Sequence, residues 1–304
     1  MKHISSRSSN NDRLVKVLST LTCCVLCLLI TSSMAVARDK ITWLYFNFPP
    51  LYIKQQKNVS GFGIETMRRI WADMPEYSHS LVLATPGRMK QELSLKKNVI
   101  ALGMLKTEER LKTIAYSKNP CRLASPTMVV LRKADAQKMA PAGVISIRKL
   151  FKDKRLMFAD IPGINYGKLQ PLIDKYQDRT RIISTPEGAP HLISMILQGR
   201  ADWSIVDPLA TEYFNKKAGT KGKISLVRVK ELPAEFIPGY VAGPKTDWGQ
   251  QTLDRIDDVM RTLVQTEELY SIQAPYIPNG LVKDFNKSYD RLIRKPTLAP
   301  SPVN

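Results

Sequence analysis

Between residues 41 and 102 the chain alternates strand, helix, strand, helix, strand, and that order limits the fold more than any single motif. Ile41-Thr42-Trp43-Leu44-Tyr45-Phe46 is β-branched and aromatic, the composition of a buried strand. Asn47-Phe48-Pro49-Pro50 ends it, and the prolines hold Phe48 and Tyr52 on a fixed loop. Gly61-Phe62-Gly63 opens a helix whose apolar stripe is Ile64, Met67, Ile70, Trp71 and Met74. A strand over 80–84 leads through Thr85-Pro86-Gly87 into a helix over 88–97, and a third strand covers 99–102. Helices inserted between successive strands predict a largely parallel, helix-covered sheet.

The end of that third strand carries the first candidate chemistry. Gly103 removes the side chain there, Thr107 is a good helix N-cap, and Glu108 and Glu109 suit the positive end of a helix dipole. Arg110 falls on the same short turn, and 116–120 closes the unit. Ligands of open α/β sheets bind beyond the carboxyl ends of the strands, and an Arg fork there suits a carboxylate or phosphate. A charged surface turn is the alternative use of the same residues.

After Ser125-Pro126 the pattern restarts. Strands are expected over 128–131, 155–159, 181–184, 203–206 and 224–229, with helices over 147–151, 167–176, 190–198 and 208–215. The loop 160–167 bears Gly163, and its backbone N–H groups either face an anion or form a simple turn. Asp207 follows a strand end; it caps the helix from Pro208 or binds a ligand cation. Residues 236–243 return, and Leu253, Ile256, Val259, Leu263 and Val264 stripe a long helix over 250–265. Leaving one α/β unit and coming back implies two lobes joined by two crossing segments: 38–127 with 240–304, and 128–239. A crevice between such lobes can close on a ligand like a hinge.

Both ends lie outside this fold. Lys2, Arg7, Arg13 and Lys16 precede an apolar run over 17–30, and Ala35-Val36-Ala37 supplies a cleavage pattern, so 1–37 reads as a secretory signal peptide cut after Ala37. The run is short for a membrane span. The tail from Pro296 is Pro-rich and expected to be disordered. Losing Lys2, Arg7, Arg13, Lys16 and Asp12 takes the formal charge from +19 to +16, which suits an anionic ligand or envelope surface. No basic run is interleaved with stacking aromatics, so nucleic acid is not an expected partner. Cys121 alone remains after cleavage, so no intramolecular disulfide can form; a partly buried thiol is expected. His79 and His191 lack a Ser, Cys or metal partner at a recognised spacing and read as packing or surface residues. No zinc spacing, P-loop or nucleophile elbow is present, so no cofactor, metal or catalytic residue is assigned.

Taken in order, several pieces resemble the family 3 extracellular solute-binding proteins, the periplasmic components of ABC importers for polar amino acids and related molecules. They are the aromatic-Pro-Pro loop, Gly61-Phe62-Gly63, Gly103 with Thr107-Glu108-Glu109-Arg110 and Tyr116-Ser117, Leu197-Gln198-Gly199-Arg200-Ala201-Asp202, and Tyr240-Val241-Ala242. The resemblance implies a two-lobe periplasmic-binding type II fold and a monomer that captures a small carboxylate-bearing solute. It implies Arg110 as clamp of the carboxylate, Gly103 and Leu105 lining the site, and Phe48 or Tyr45 as aromatic wall. Gly163, Ile164 and Asn165 become second-lobe donors, and Asp207 the acceptor for an α-ammonium. The sequence departs from the family where Thr or Ser is usual, at Leu105, and in the Gly163 loop, which has fewer hydroxyl donors. A ligand-sensing envelope module, or a dehydratase on the same fold, is the alternative reading.

Overall fold

The computed structural model describes residues 38–95, 97–160, 166–176, 181–184 and 189–295. The expected leader over 1–37, the tail from Pro296, and Gly163, Ile164 and Asn165 lie outside the described residues.

The chain runs β1 (Lys40–Tyr45), β2 (Ile53–Gln55), β3 (Asn58–Ser60), α1 (Phe62–Ala72), β4 (Ser78–Leu83), α2 (Pro86–Ser94), β5 (Val99–Met104), α3 (Glu108–Leu111) and β6 (Ile114–Ala124). It then crosses to β7 (Met128–Arg132), α4 (Lys133–Met139), β8 (Val144–Ile145), α5 (Ile147–Lys152), β9 (Met157–Asp160), α6 (Gln170–Tyr176), β10 (Arg181–Ser184), α7 (Ala189–Leu197), β11 (Trp203–Val206), α8 (Pro208–Lys217) and β12 (Ile224–Val229). A second crossing brings it back to β13 (Ile237–Pro244), α9 (Asp247–Gln265), α10 (Glu268–Gln273) and α11 (Val282–Tyr289).

The first sheet has the order β4-β1-β5-β13-β6 and the second β10-β9-β11-β7-β12-β8. Strands reached through a helix pair in parallel, as their alternation predicts: β1 with β4 and β5, and β9 with β10 and β11. Strands that enter straight from a crossing run the other way, so β13 is antiparallel to β5 and β6, and β7 to β11 and β12. Each sheet is therefore mostly parallel with one reversed strand, β13 in the first and β7 in the second. The cause is topological: a crossing segment delivers the chain at the edge where the other strands end. Tyr45 and Met104 end β1 and β5 in the first sheet, and Asp160 and Val206 end β9 and β11 in the second.

Apolar stripes bury both faces of each sheet. The stripe of α1 (Ile64, Met67, Ile70) and that of α9 (Leu253, Ile256, Val259, Leu263) pack on Trp43, Ile100 and Val241, while Met89 and Leu93 of α2 cover the opposite face. In the second sheet Leu150 and Phe151 of α5 meet Phe158 and Trp203 on one face, and Leu192 and Ile196 of α7 cover the other.

β6 shows what the local reading missed. Residues 116–120, which the sequence reading places at the close of the unit around Arg110, sit inside an eleven-residue strand. Pro120 interrupts the pattern, but β6 lies at the sheet edge, where a missing N–H costs no ladder bond. The outer side of this edge is occupied from α9 and α10. Asp257 accepts from the Lys118 and Asn119 backbone N–H groups at 2.8 Å each, and the Gln273 amide accepts from Leu123 N–H at 3.0 Å and donates to its carbonyl at 2.5 Å. Gln273 thus substitutes for a rung of a neighbouring strand and keeps the edge from pairing with another chain. Helices α4, α10 and α11 were also unexpected; α4 buries Ala136 alone, which leaves no periodic stripe to read.

Candidate functional site

The penultimate residue of β5, Gly103, has φ of +81°, a conformation that side chains oppose. The chain then turns into α3, whose cap is the Thr107 hydroxyl accepting from Arg110 N–H at 3.2 Å. Arg110 is half-buried and folds back, its Nη1 donating to the Leu105 carbonyl at 3.1 Å; the Tyr116 hydroxyl donates to the same oxygen at 3.3 Å. Burial pushes the Tyr116 hydroxyl up to about 12 despite the neighbouring guanidinium, so it stays a donor. Lys106, next to Leu105, lays its ammonium 3.5 Å above the Tyr240 ring and donates to the Ser117 carbonyl at 3.2 Å. Desolvation lowers its pKa.

A residue that no sequence motif marks lies against Gly103. Arg122 crosses from β6 over Gly239 of β13, and its Nε donates to the Gly103 carbonyl of β5 at 2.9 Å. A Cβ on Gly103 would stand 2.6 Å from that Nε, and a Cβ on Gly239 3.0 Å from its Cγ. Both glycines are thus spaces that Arg122 fills. Beneath it the Tyr52 hydroxyl donates to the Leu102 carbonyl at 2.7 Å, and the Cys121 thiol donates to the Gly239 carbonyl at 3.4 Å. Burial raises the pKa of both, the thiol to about 12, so neither is an anion or a ready nucleophile. Alternation along an edge strand is the one clue the sequence held, since Cys121 and Leu123 face inward and Arg122 does not.

On the second sheet Asp207 follows β11. One carboxylate oxygen accepts from Ala210 N–H at 2.9 Å and caps α8; the other accepts from the hydroxyl of Ser125, in the first crossing, at 2.7 Å. The Asp207 charge also favours the protonated Arg122, although the two form no ion pair among the described residues. Of the two roles open to Asp207 in the sequence, capping the helix or binding a ligand cation, the structure shows the cap. Asp160, ending β9, accepts from the Tyr166 hydroxyl at 2.7 Å.

The two aromatic candidates separate. Tyr45 is 5% exposed, edge-on to Tyr52 with centroids 6.1 Å apart, and belongs to the core. Phe48 remains half-buried beside Phe46, bridged through its backbone to Tyr52. The Gly61 motif is structural: Phe62 N–H donates to the Pro50 carbonyl at 3.2 Å and Gly63 N–H to that of Leu51 at 2.9 Å, so the loop fills the start of α1. The 197–202 motif is structural too. Arg132 donates to the Ile196 and Ala201 carbonyls and pairs with Asp202 at 2.7 Å, and Asp202 accepts from Met157 N–H. His79 is a packing residue stacked on Trp71 with centroids 5.4 Å apart; it accepts from the Trp43 indole at 3.1 Å.

Among the described residues no three His, Cys, Asp or Glu side chains gather to hold a metal ion, and no helix is long and apolar enough to cross a membrane.

Comparison with known proteins agrees with this architecture. The L-cystine-binding protein TcyJ of Bacillus subtilis (strain 168) is 27% identical over 173 residues, 56% of this chain, and the match spans 61% of that relative's length. Among solved structures, the ancestral cationic amino acid solute-binding protein AncCDT-1 superposes with a TM-score of 0.62 at 17% identity, covering 79% of this chain and 96% of its own. The Streptococcus pneumoniae amino acid ABC transporter substrate-binding protein AbpA, bound to L-arginine, gives 0.59 at 17% identity over 79% and 94%. A Streptococcus mutans structure from work on glutathione import through GshT and the cystine ABC importer TcyBC gives 0.61 at 16% identity over 81% and 99%. These likenesses carry the two-lobe fold. The profile of the bacterial extracellular solute-binding proteins, family 3, matches residues 44–279, and the chain belongs to that family.

Proposed function

We propose that this chain captures a small, carboxylate-bearing, amino-acid-like solute between its lobes and passes it to an ABC importer in the inner membrane. It works as a monomer in the periplasm, after its leader is removed behind Ala37. Arg110 grips the carboxylate, and the backbone around Gly103 and Leu105 lines the site. Phe48 forms the aromatic wall, with Tyr45 supporting it from the core. Asp207 and the Gly163-Ile164-Asn165 loop close from the other lobe, so that 128–239 swings against 38–127 and 240–304. Closure removes water from the charged contact and strengthens it.

The observation that supports this reading is that both candidates stand just past a strand end: Arg110 follows β5 of the first sheet, and Asp207 follows β11 of the second, where it accepts from Ser125 of the first crossing. Family membership supports capture over turnover, and a relative named for cystine binding together with a structural neighbour bound to L-arginine supports an amino-acid-like solute.

The test is a thermal-shift and calorimetric screen of amino acids and small carboxylates. A true ligand at a hundred times its dissociation constant stabilises by about 2.7 kcal/mol. A charge-assisted contact contributes about 1.5–3 kcal/mol, so Arg110→Ala should weaken binding by about tenfold to a hundredfold with the fold retained. Unchanged affinity in that variant refutes the assigned clamp.

A further inference from the structure

We propose that Arg122 is a second ligand-binding cation and that the solute consequently carries two anionic groups; the proposal rests on the solute-capture reading above. Three strands are arranged around this one side chain. It starts on β6, crosses β13 where Gly239 has no side chain, and ends against the Gly103 carbonyl of β5 at 2.9 Å. That bond uses Nε. The two terminal nitrogens, with four N–H donors, have no partner among the described residues.

The acceptors around Arg122 face other donors. Asp207, whose charge acts on Arg122, accepts from Ala210 N–H and the Ser125 hydroxyl. The Leu102 and Gly239 carbonyls take the Tyr52 hydroxyl and the Cys121 thiol. Protein packs around Arg122 while part of its surface stays open to solvent. Partly desolvated donors that lack a protein acceptor are available to a ligand anion. The guanidinium fork matches a carboxylate in two places at once. With Arg110 taking one carboxylate, Arg122 takes another, so the ligand is a small dianion such as a dicarboxylate, or an acidic amino acid, in place of the arginine or cystine of the relatives.

The experiment is calorimetric titration of the purified chain with succinate, glutarate, aspartate, glutamate, glutamine, arginine and cystine. Wild type, Arg122→Gln and Arg122→Lys are compared, with melting temperatures recorded without ligand. A two-carboxylate compound should bind wild type tightest. Arg122→Gln should lose at least tenfold for it, and Arg122→Lys, which keeps the charge but not the fork, should fall between. If Arg122→Gln does not fold, Arg122→Lys carries the test through its intermediate loss of dianion affinity. Tighter binding of glutamine, arginine or cystine, or full dianion affinity in a folded Arg122 variant, overturns this inference and leaves solute capture standing. A folded wild type that binds none of the panel overturns both.

Discussion

Asp257→Ala tests whether the edge strand that carries Arg122 is held from outside. Asp257 is 2% exposed on α9, and its carboxylate accepts the Lys118 and Asn119 backbone N–H groups at 2.8 Å each and the Asn119 side-chain amide at 3.1 Å. Neither N–H has a strand beyond it, because β6 ends the sheet. Removing the carboxylate strands two backbone donors at about 1–3 kcal/mol each. Part of that is offset, since burial raises the Asp257 pKa against its hydrogen bonds and the native protein therefore bears a desolvation cost that the variant escapes. The expected net loss is about 3 kcal/mol, or a melting temperature lower by about 6–12 °C for a chain of this size. Urea unfolding followed by far-UV circular dichroism measures it, with an unchanged m-value showing that the denatured state is unaffected. A loss under about 1 kcal/mol would refute the reasoning, because β6 would then not depend on this carboxylate.

Two further outcomes follow from the same geometry. His79 accepts from the Trp43 indole at Nδ1, so its Nε2 carries the proton shared with the Met74 carbonyl and the ring is satisfied when neutral. Burial lowers its pKa below 6.5, so as pH falls through that value the unfolded chain takes up the proton first and stability drops; the melting temperature should fall from pH 7 to 5.5, and an identical slope in His79→Gln would refute the assignment. Gly103→Ala forces a side chain into φ of +81° and 2.6 Å from the Arg122 Nε, so it should cost about 1–2 kcal/mol and reduce ligand affinity as Arg122→Gln does; a variant with wild-type stability and binding would show that Arg122 has other room.

Much of the scaffold was legible because it depends on local pattern. The stripe Ile64, Met67, Ile70, the cap at Thr107 and the stop at Gly199 each declare themselves within a few residues, and each stands where the pattern predicted. Arg110 was legible for the same reason: it follows a cap and a strand end within one short stretch. Strand β6 was not, because Pro120 and polar neighbours look like a turn until a sheet edge and two distant helices, through Asp257 and Gln273, supply partners.

The sequence by itself determined the alternation of strands and helices, the two crossings and the candidate cation Arg110, all of which depend on neighbours along the chain. Tertiary structure alone decided which strands run antiparallel, that Tyr45 belongs to the core while Phe48 keeps open surface, and that Arg122 lies across Gly239 to Gly103. Those facts depend on residues about 20 to 120 positions apart meeting at one sheet edge, and no local propensity records such a meeting.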